Sequence, residues 1–264
     1  MTESANIQQQ TSFNVLLIGD NCVDEYKIGT IDRLSPEAPV PVIKVVETIT
    51  VPGMASNVRK NLMNLNIDPD YITHNEEIIK TRYVDKRSGQ HMLRVDTEPA
   101  VTRWSGKTPF PLNSYDAIVI SDYNKGFLSY DDIDYIIREV KCPVFIDTKK
   151  TRLADLAPPF KSNHVYIKIN EVEFKNTQSL ADNLIVTLGD RGAQYKDKIY
   201  PAPTIEVSDV CGAGDTFLAA LTHQYLLTKD IKIAIMFANT AASITVQHRG
   251  NYAPTYDEIR IAGY

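Results

Sequence analysis

Two glycines and then an aspartate, in Gly212-Ala213-Gly214-Asp215, sit where an extended segment must become a helix. Beyond them Phe217, Leu221 and Tyr225 repeat at i, i+4 and i+8, with Leu218 beside the first, so the spacing predicts an amphipathic helix from the turn onward. The turn is then that helix's N-terminus. First-turn amides lack intrahelical partners and the helix dipole is positive there, so Gly212, Ala213 and Gly214 can bring bare N–H groups against an anion. Asp215 faces the same spot. An anion hole beside a carboxylate suits phosphoryl transfer to a hydroxyl. Taken alone, the same residues read first as an ordinary helix entry with an acidic residue in its first turn.

Several elements must position that turn. Residues 13–18 form an apolar run ended by Gly19-Asp20, the pattern of a parallel strand buried on both faces and running into a loop. Asp20 and Asp24 follow it, and either could hydrogen-bond a polyol or simply shape a turn. From residue 117 a regular rhythm of strand, loop and helix sets in. Strands at 117–120, 144–146, 165–167 and 184–188 each finish in a polar loop, which brings Asp122, Asp147, Lys168, Asn170 and the stretch from Gly189 to Gly192 to one edge of a parallel sheet. A helix is expected over 131–140, a hairpin around Asp197-Lys198, and a last long helix over 231–246. The small residues around Asn239 in that last helix allow either tight helix packing or room for an aromatic ring such as adenine.

Other strands break this rhythm. Residues 40–50 are rich in β-formers, and residues 80–85 and 90–96 flank a Lys-Arg-Ser-Gly turn, the signature of a hairpin. These are assigned to a separate small sheet, drawn from about 26–51 and 79–97, that could act as a lid and as a dimer surface. Between its parts, residues 52–57 open a helix carrying Val58, Leu62 and Leu65.

Composition narrows the function classes. With 33 acidic against 28 basic residues there is no broad basic face, which argues against nucleic acid as the main partner. Cys22, Cys142 and Cys211 are far apart and odd in number, so neither a disulfide framework nor a zinc site is expected, and a reducing, cytoplasmic setting is. No apolar run reaches the length of a membrane span. The glutamine-rich residues 1–12 read as a disordered tail, leaving 13–264 as one domain.

Together these residues resemble the ribokinase (PfkB-type) family of sugar kinases, through Asp209-Val210-Cys211-Gly212-Ala213-Gly214-Asp215-Thr216. The resemblance is greatest to the branch acting on D-glycero-β-D-manno-heptose 7-phosphate, through Arg33-Leu34-Ser35-Pro36-Glu37-Ala38-Pro39-Val40-Pro41-Val42, Lys80-Thr81-Arg82 and Ser121-Asp122-Tyr123-Asn124-Lys125-Gly126. It implies an α/β fold: a three-layer sandwich with a mainly parallel central sheet and a small β-sheet lid. It also implies an ATP- and Mg2+-dependent kinase, with K+ as a further cation. Asp215 would then be the general base, and Gly212, Ala213 and Gly214 the anion hole. Asp24, Gly53 and Asn57 match sugar-contacting positions, with Lys80 and Arg82 for the sugar's own phosphate and Asp122 beside the substrate. Lys168, Asn170, Thr187, Gly189, Gly192 and Asn239 fall in the nucleotide region. Glu173 of Asn170-Glu171-Val172-Glu173 would hold magnesium through water, and Asp209 a monovalent cation.

Three positions depart from the family pattern. Met54 replaces a glycine beside the sugar pocket, Cys211 replaces a threonine before the turn, and residues 176–182 are too few for the usual crossover helix. The resemblance further implies a homodimer through the lid and, for any nucleotide-sugar step, a separate adenylyltransferase. Two other readings stay open: a kinase of the same fold for another sugar, and a catalytically silent member that binds sugar or nucleotide.

Overall fold

The strand β1 (Val15–Gly19) is buried along its whole length because both of its faces are covered. Leu17 turns to one side with Val119 and Phe145, while Leu16 and Ile18 turn to the other with Ile118, Ile120 and Ile146. In a pleated strand such alternation means two separate cores, one on each face of the sheet. The computed structural model describes residues 13–157 and 164–263. The tail expected over residues 1–12 lies outside the described residues.

After β1 come β2 (Asn21–Leu34), β3 (Pro41–Met54), α1 (Ala55–Asn64), β4 (Asp70–Ile72), β5 (Ile79–Asp85) and β6 (His91–Thr97). The alternating part follows: β7 (Ala117–Asp122), α2 (Tyr130–Glu139), β8 (Val144–Thr148), β9 (Val165–Asn170), α3 (Glu171–Lys175) and β10 (Leu184–Thr187). A hairpin of β11 (Ala193–Tyr195) and β12 (Lys198–Tyr200) leads to α4 (Ala213–Thr228), α5 (Ile231–Thr245) and α6 (Tyr256–Ile261). The large sheet has the order β12-β11-β10-β9-β8-β7-β1-β4, and the small one β3-β2-β5-β6. From β4 to β10 every pairing in the large sheet is parallel, and only the β11–β12 hairpin runs antiparallel. Helices α1, α4, α5 and α6 contribute to one core and α2 to the other, which gives the three-layer α/β sandwich expected from the sequence.

Local chemistry explains the boundaries. Ser129 caps α2 by accepting from the Asp132 N–H, while the Asp132 carboxylate accepts from the Ser129 N–H, and Asn170 with Glu173 does the same for α3. The parallel step from β9 to β10 is made by the five-residue α3 and a short loop, so the crossover is trimmed, as the count of residues indicated.

Three expectations need correction, and one strand was not anticipated. The segment from Asn21 onward is not a loop after β1 but the start of the 14-residue strand β2, and Asp24 lies on that strand. The edge strand β4 is too short and too polar to announce itself. Helix α4 is not amphipathic: everything from Asp215 to Gln224 is buried, because the helix is packed between α1, α5 and the sheet. The late hairpin turns on Lys196-Asp197, one residue earlier than expected, with Lys196 in the left-handed region at φ 53°.

Candidate active site

The Gly212-Ala213-Gly214-Asp215 turn meets the carboxyl ends of β7, β8 and β9 at a cavity of about 710 Å³. Gly212 caps α4 in the left-handed region at φ 77°, a conformation that glycine adopts without a Cβ penalty. At Gly214 a Cβ would stand 2.8 Å from Lys168 Nζ, so the turn and that ammonium are in close contact. The first-turn amides of a 16-residue helix and a buried cation thus face one space.

Asp215, 5% exposed, is held from two sides. Asn57 Nδ2 donates to its Oδ2 at 2.9 Å, and the Tyr123 hydroxyl donates to its Oδ1 at 3.0 Å. Burial pushes its carboxyl up to about 6, against the opposing pull of the Asn57 amide; nearby Asp147 adds to the rise, while Lys168 and Tyr123 restrain it. A carboxylate so tuned is ionised at neutral pH yet basic enough to accept a proton.

Beside it, Lys168 Nζ donates to Asp147 Oδ2 at 2.7 Å, in a pair with both side chains 5% exposed. Asp147 Oδ1 is buried and, among the described residues, has no hydrogen-bond partner, although Asp147 lines the cavity. Lys149 also lines it, pairs with Glu173 Oε1 and lies 5.2 Å from the Tyr123 ring centre. Burial lowers the Lys149 ammonium below its usual range.

Ten of the residues singled out in the sequence line this cavity: Gly212, Ala213, Gly214, Asp215, Lys168, Asn170, Thr187, Gly189, Gly192 and Asn239. Two of these carry structural duties as well. The Asn239 amide donates to the Tyr200 carbonyl at 2.8 Å, bracing the cavity rim, and a Cβ on Gly192 would run into that same carbonyl.

The remaining ones stand elsewhere. Asp24 is ion-paired to Arg82 Nη1 at 2.5 Å and accepts from Asn251 Nδ2 at 3.0 Å, so one guanidinium nitrogen of Arg82 is engaged by a carboxylate. Gly53 pairs with Cys22 across β2 and β3, its Cα facing Asp24. Lys80 lies 5.2 Å from the Tyr123 ring centre. Asp122 does not reach the cavity; buried at 1% exposure, it binds Thr148 Oγ1, Lys150 Nζ and the Asn124 N–H, which shapes the loop after β7. Glu173 is drawn into the α3 cap and the Lys149 pair. Asp209 spends one oxygen on the Cys211 N–H and the other on the Gly250 N–H, each at 3.0 Å, and so ties two loops together.

Sequence reasoning gave no role to Tyr123, Asp147, Lys149 or Asn251, although it placed Asp147 at the sheet edge. The first three follow strand ends that had been recognised as site-forming, so the signal was their position. For Asn251 there was none, because its role depends on β2 and β3 arriving from 200 residues earlier.

With this geometry in view, comparison with known proteins is informative. Residues 168–258 match the model of the pfkB family carbohydrate kinases. The matched segment is about a third of the chain. It contains Lys168, Asn170, Glu173, the glycine turn, Asp215 and Asn251, whereas Asn57, Tyr123 and Asp147 lie upstream of it. Over 93% of its length the chain is 31% identical to the bifunctional protein HldE of Nitratiruptor sp. and 32% identical to that of Campylobacter curvus. It spans 64% of the length of each.

Among solved structures, the chain is similar to Arabidopsis thaliana ribokinase complexed with ribose and ATP, with a TM-score of 0.70 and 14% identity, covering 96% of this chain and 99% of that one. Thermotoga maritima ribokinase gives a TM-score of 0.68 at 17% identity, covering 95% and 99%. The fold is therefore ribokinase-like, and the pfkB match supports a phosphotransferase. Among the described residues, no helix is long and apolar enough to cross a membrane.

Proposed function

We propose that this chain transfers the γ-phosphate of ATP to the anomeric hydroxyl of a heptose 7-phosphate or a closely similar sugar phosphate. The observation carrying the reading is Asp215, a buried carboxylate raised to about 6 at the N-terminus of α4, with Lys168 against the same turn. Asp215 takes the proton of the acceptor hydroxyl as the oxygen attacks phosphorus. The first-turn amides of α4 and the Lys168 ammonium hold the oxygens of the transferring group, so the charge that develops meets donors already in place. Asn57 keeps the base oriented.

The cavity is large enough for a nucleotide, and Thr187, Gly189, Ala242, Ser243 and Val246 offer a mainly apolar wall to a base. A divalent ion suits the site because Asp147 Oδ1 is a buried carboxylate oxygen with no partner among the described residues. Asp147 would hold the ion, with Glu173 joining through water once Lys149 leaves it. When bound, the ion neutralises charge on the phosphates. Asp209 has both oxygens on backbone amides and offers no comparable support for a monovalent cation.

The heptose assignment rests on the run Arg33 to Val42 and on Lys80, whose ammonium stands beside Tyr123 at the edge of the base. The small sheet would serve as the lid. Its exposed Val45, Val46, Ile49, Leu93 and Val95 support a homodimer through that sheet, to be read by sedimentation equilibrium.

The deciding assay offers ATP and Mg2+ with heptoses and hexoses, each with and without a terminal phosphate. Transfer is expected to the heptose 7-phosphate and to be lost in Asp215→Asn. A variant within about tenfold of the wild-type rate, roughly 1.4 kcal/mol, would sink the general base. Indifference to the substrate's own phosphate would sink the sugar phosphate.

A further inference from the structure

Asn57 reaches Asp215 Oδ2 from α1, and its position is fixed by the Asn61 amide, which donates to the Asn57 carbonyl at 2.8 Å. Tyr123 reaches Oδ1 from the opposite quarter, as the first residue past β7. Three contacts anchor this tyrosine: its backbone N–H donates to Asp20 Oδ2 at 2.7 Å, its ring has the ammonium groups of Lys80 and Lys149 each 5.2 Å from its centre, and its hydroxyl sits on the base. Such a side chain is pre-set before any substrate arrives.

We propose that Tyr123 is a positioning residue for Asp215, fixing the rotation of the carboxylate about its Cβ–Cγ bond so that the remaining lone pairs face the acceptor hydroxyl. The inference rests on the reading of Asp215 as the base. Two donors on two different oxygens define the carboxylate plane; with Asn57 alone the group could rotate about a single hydrogen bond. The phenol can only donate here, because burial and the neighbouring carboxylates of Asp215 and Asp147 push its ionisation well above the ordinary tyrosine value. Charged and titratable groups facing the pair are Asp147 and Lys149 from the end of β8, Lys168 from β9, Cys22 from β2, Lys80 from β5 and Asp20 after β1.

Tyr123→Phe keeps the ring between the two lysines and removes one oxygen. With ATP, Mg2+ and heptose 7-phosphate, kcat is expected to fall about 10- to 100-fold, the scale of a misplaced catalytic group, with both KM values within about twofold. The acidic limb of the kcat/KM profile, expected near 6 in the wild type from Asp215 in the free protein, is expected to move to higher pH, since a hydrogen bond favouring the charged carboxylate has gone. A merely structural role would lower the melting temperature and leave that limb in place. Replacing Tyr123 alone by 3-fluorotyrosine keeps the ring and the hydroxyl but makes the phenol a stronger donor, and the limb is expected to move to lower pH.

A kcat within twofold of wild type with an unmoved limb overturns the proposal, as does an unmoved limb in the fluorinated protein. If the wild type transfers phosphate and Asp215→Asn does not while Tyr123→Phe is unaffected, this inference alone fails. If Asp215→Asn is as active as wild type, the reading of the base fails first.

Discussion

Replacing Gly212 by alanine puts two burdens on one added atom. The backbone there is left-handed at φ 77°, which costs a residue with a Cβ about 1–2 kcal/mol. The new Cβ would also lie 2.8 Å from Asn57 Nδ2 and 3.1 Å from Asn251 Oδ1, too close for the first contact to survive unchanged. Asn57 is the donor to Asp215 Oδ2, so moving it weakens a hydrogen bond to a charged group worth about 1.5–3 kcal/mol. Gly106 separates the two costs, because its φ is 78° and nothing stands within 4 Å of its Cβ position. Urea unfolding is expected to cost Gly106→Ala about 1–2 kcal/mol and Gly212→Ala about 2.5–5 kcal/mol. The difference should reappear in turnover, where about 1.5–3 kcal/mol corresponds to about a 10- to 150-fold loss of kcat in Gly212→Ala alone. If the two alanine variants match in both stability and kcat, Asn57 does not hold the base, and the geometry proposed for catalysis is wrong.

Two more outcomes follow from buried charges. His223 is packed among the rings of Phe237 and Tyr256, and burial lowers its imidazole to about 4. Its neutral form therefore adds stability that is complete above about 6.5 and is lost as pH falls towards 4, where the unfolded chain binds the extra proton. Wild type minus His223→Phe, compared by urea unfolding across that window, should show the decline; a flat difference refutes it. Asp215 has the opposite sign, its raised carboxyl removing stability as pH climbs through about 6, and the subtraction cancels it. Lys149 competes with any cation for Glu173, so Lys149→Met is expected to bind Mg2+ several-fold more tightly by calorimetry without nucleotide. Unchanged or weaker binding counts against Glu173 as a metal partner.

The sequence was most readable where one physical cause dominates. Residues 13–18 could only be a strand covered on both faces, and the polar residues after each parallel strand had to gather at one edge, which is how Lys168, Asn170 and Asp215 came together on paper. It was least readable where a residue's role is set by a distant partner. Asp122 looked like its neighbours at the sheet edge, but the nearby Lys150 and Thr148 bury it in a network of their own. Arg82 has the chemistry to bind phosphate, and Asp24 on the adjacent strand engages one of its guanidinium nitrogens. The helix after the turn read as amphipathic from the spacing of Phe217, Leu221 and Tyr225, yet the polar Thr222, His223 and Gln224 are buried as well; one of them, Thr222, turns its hydroxyl back to the Leu218 carbonyl.

Strand β2 starts one residue after β1 ends, and Asp20 between them is fastened by its N–H to the Ser121 carbonyl and by its own carbonyl to the Ala55 N–H, both at 3.0 Å. Fourteen extended residues reach about 45 Å, so β2 is a lever whose fulcrum is clamped to the large sheet. A rotation of about 10° at that fulcrum would sweep the far end near Leu34 through about 8 Å on this length, yet shift Asp24 by about 2 Å. Any tilt of the small sheet would therefore be geared down at its root, reaching Asp24 and its partner Asn251 as a fine adjustment.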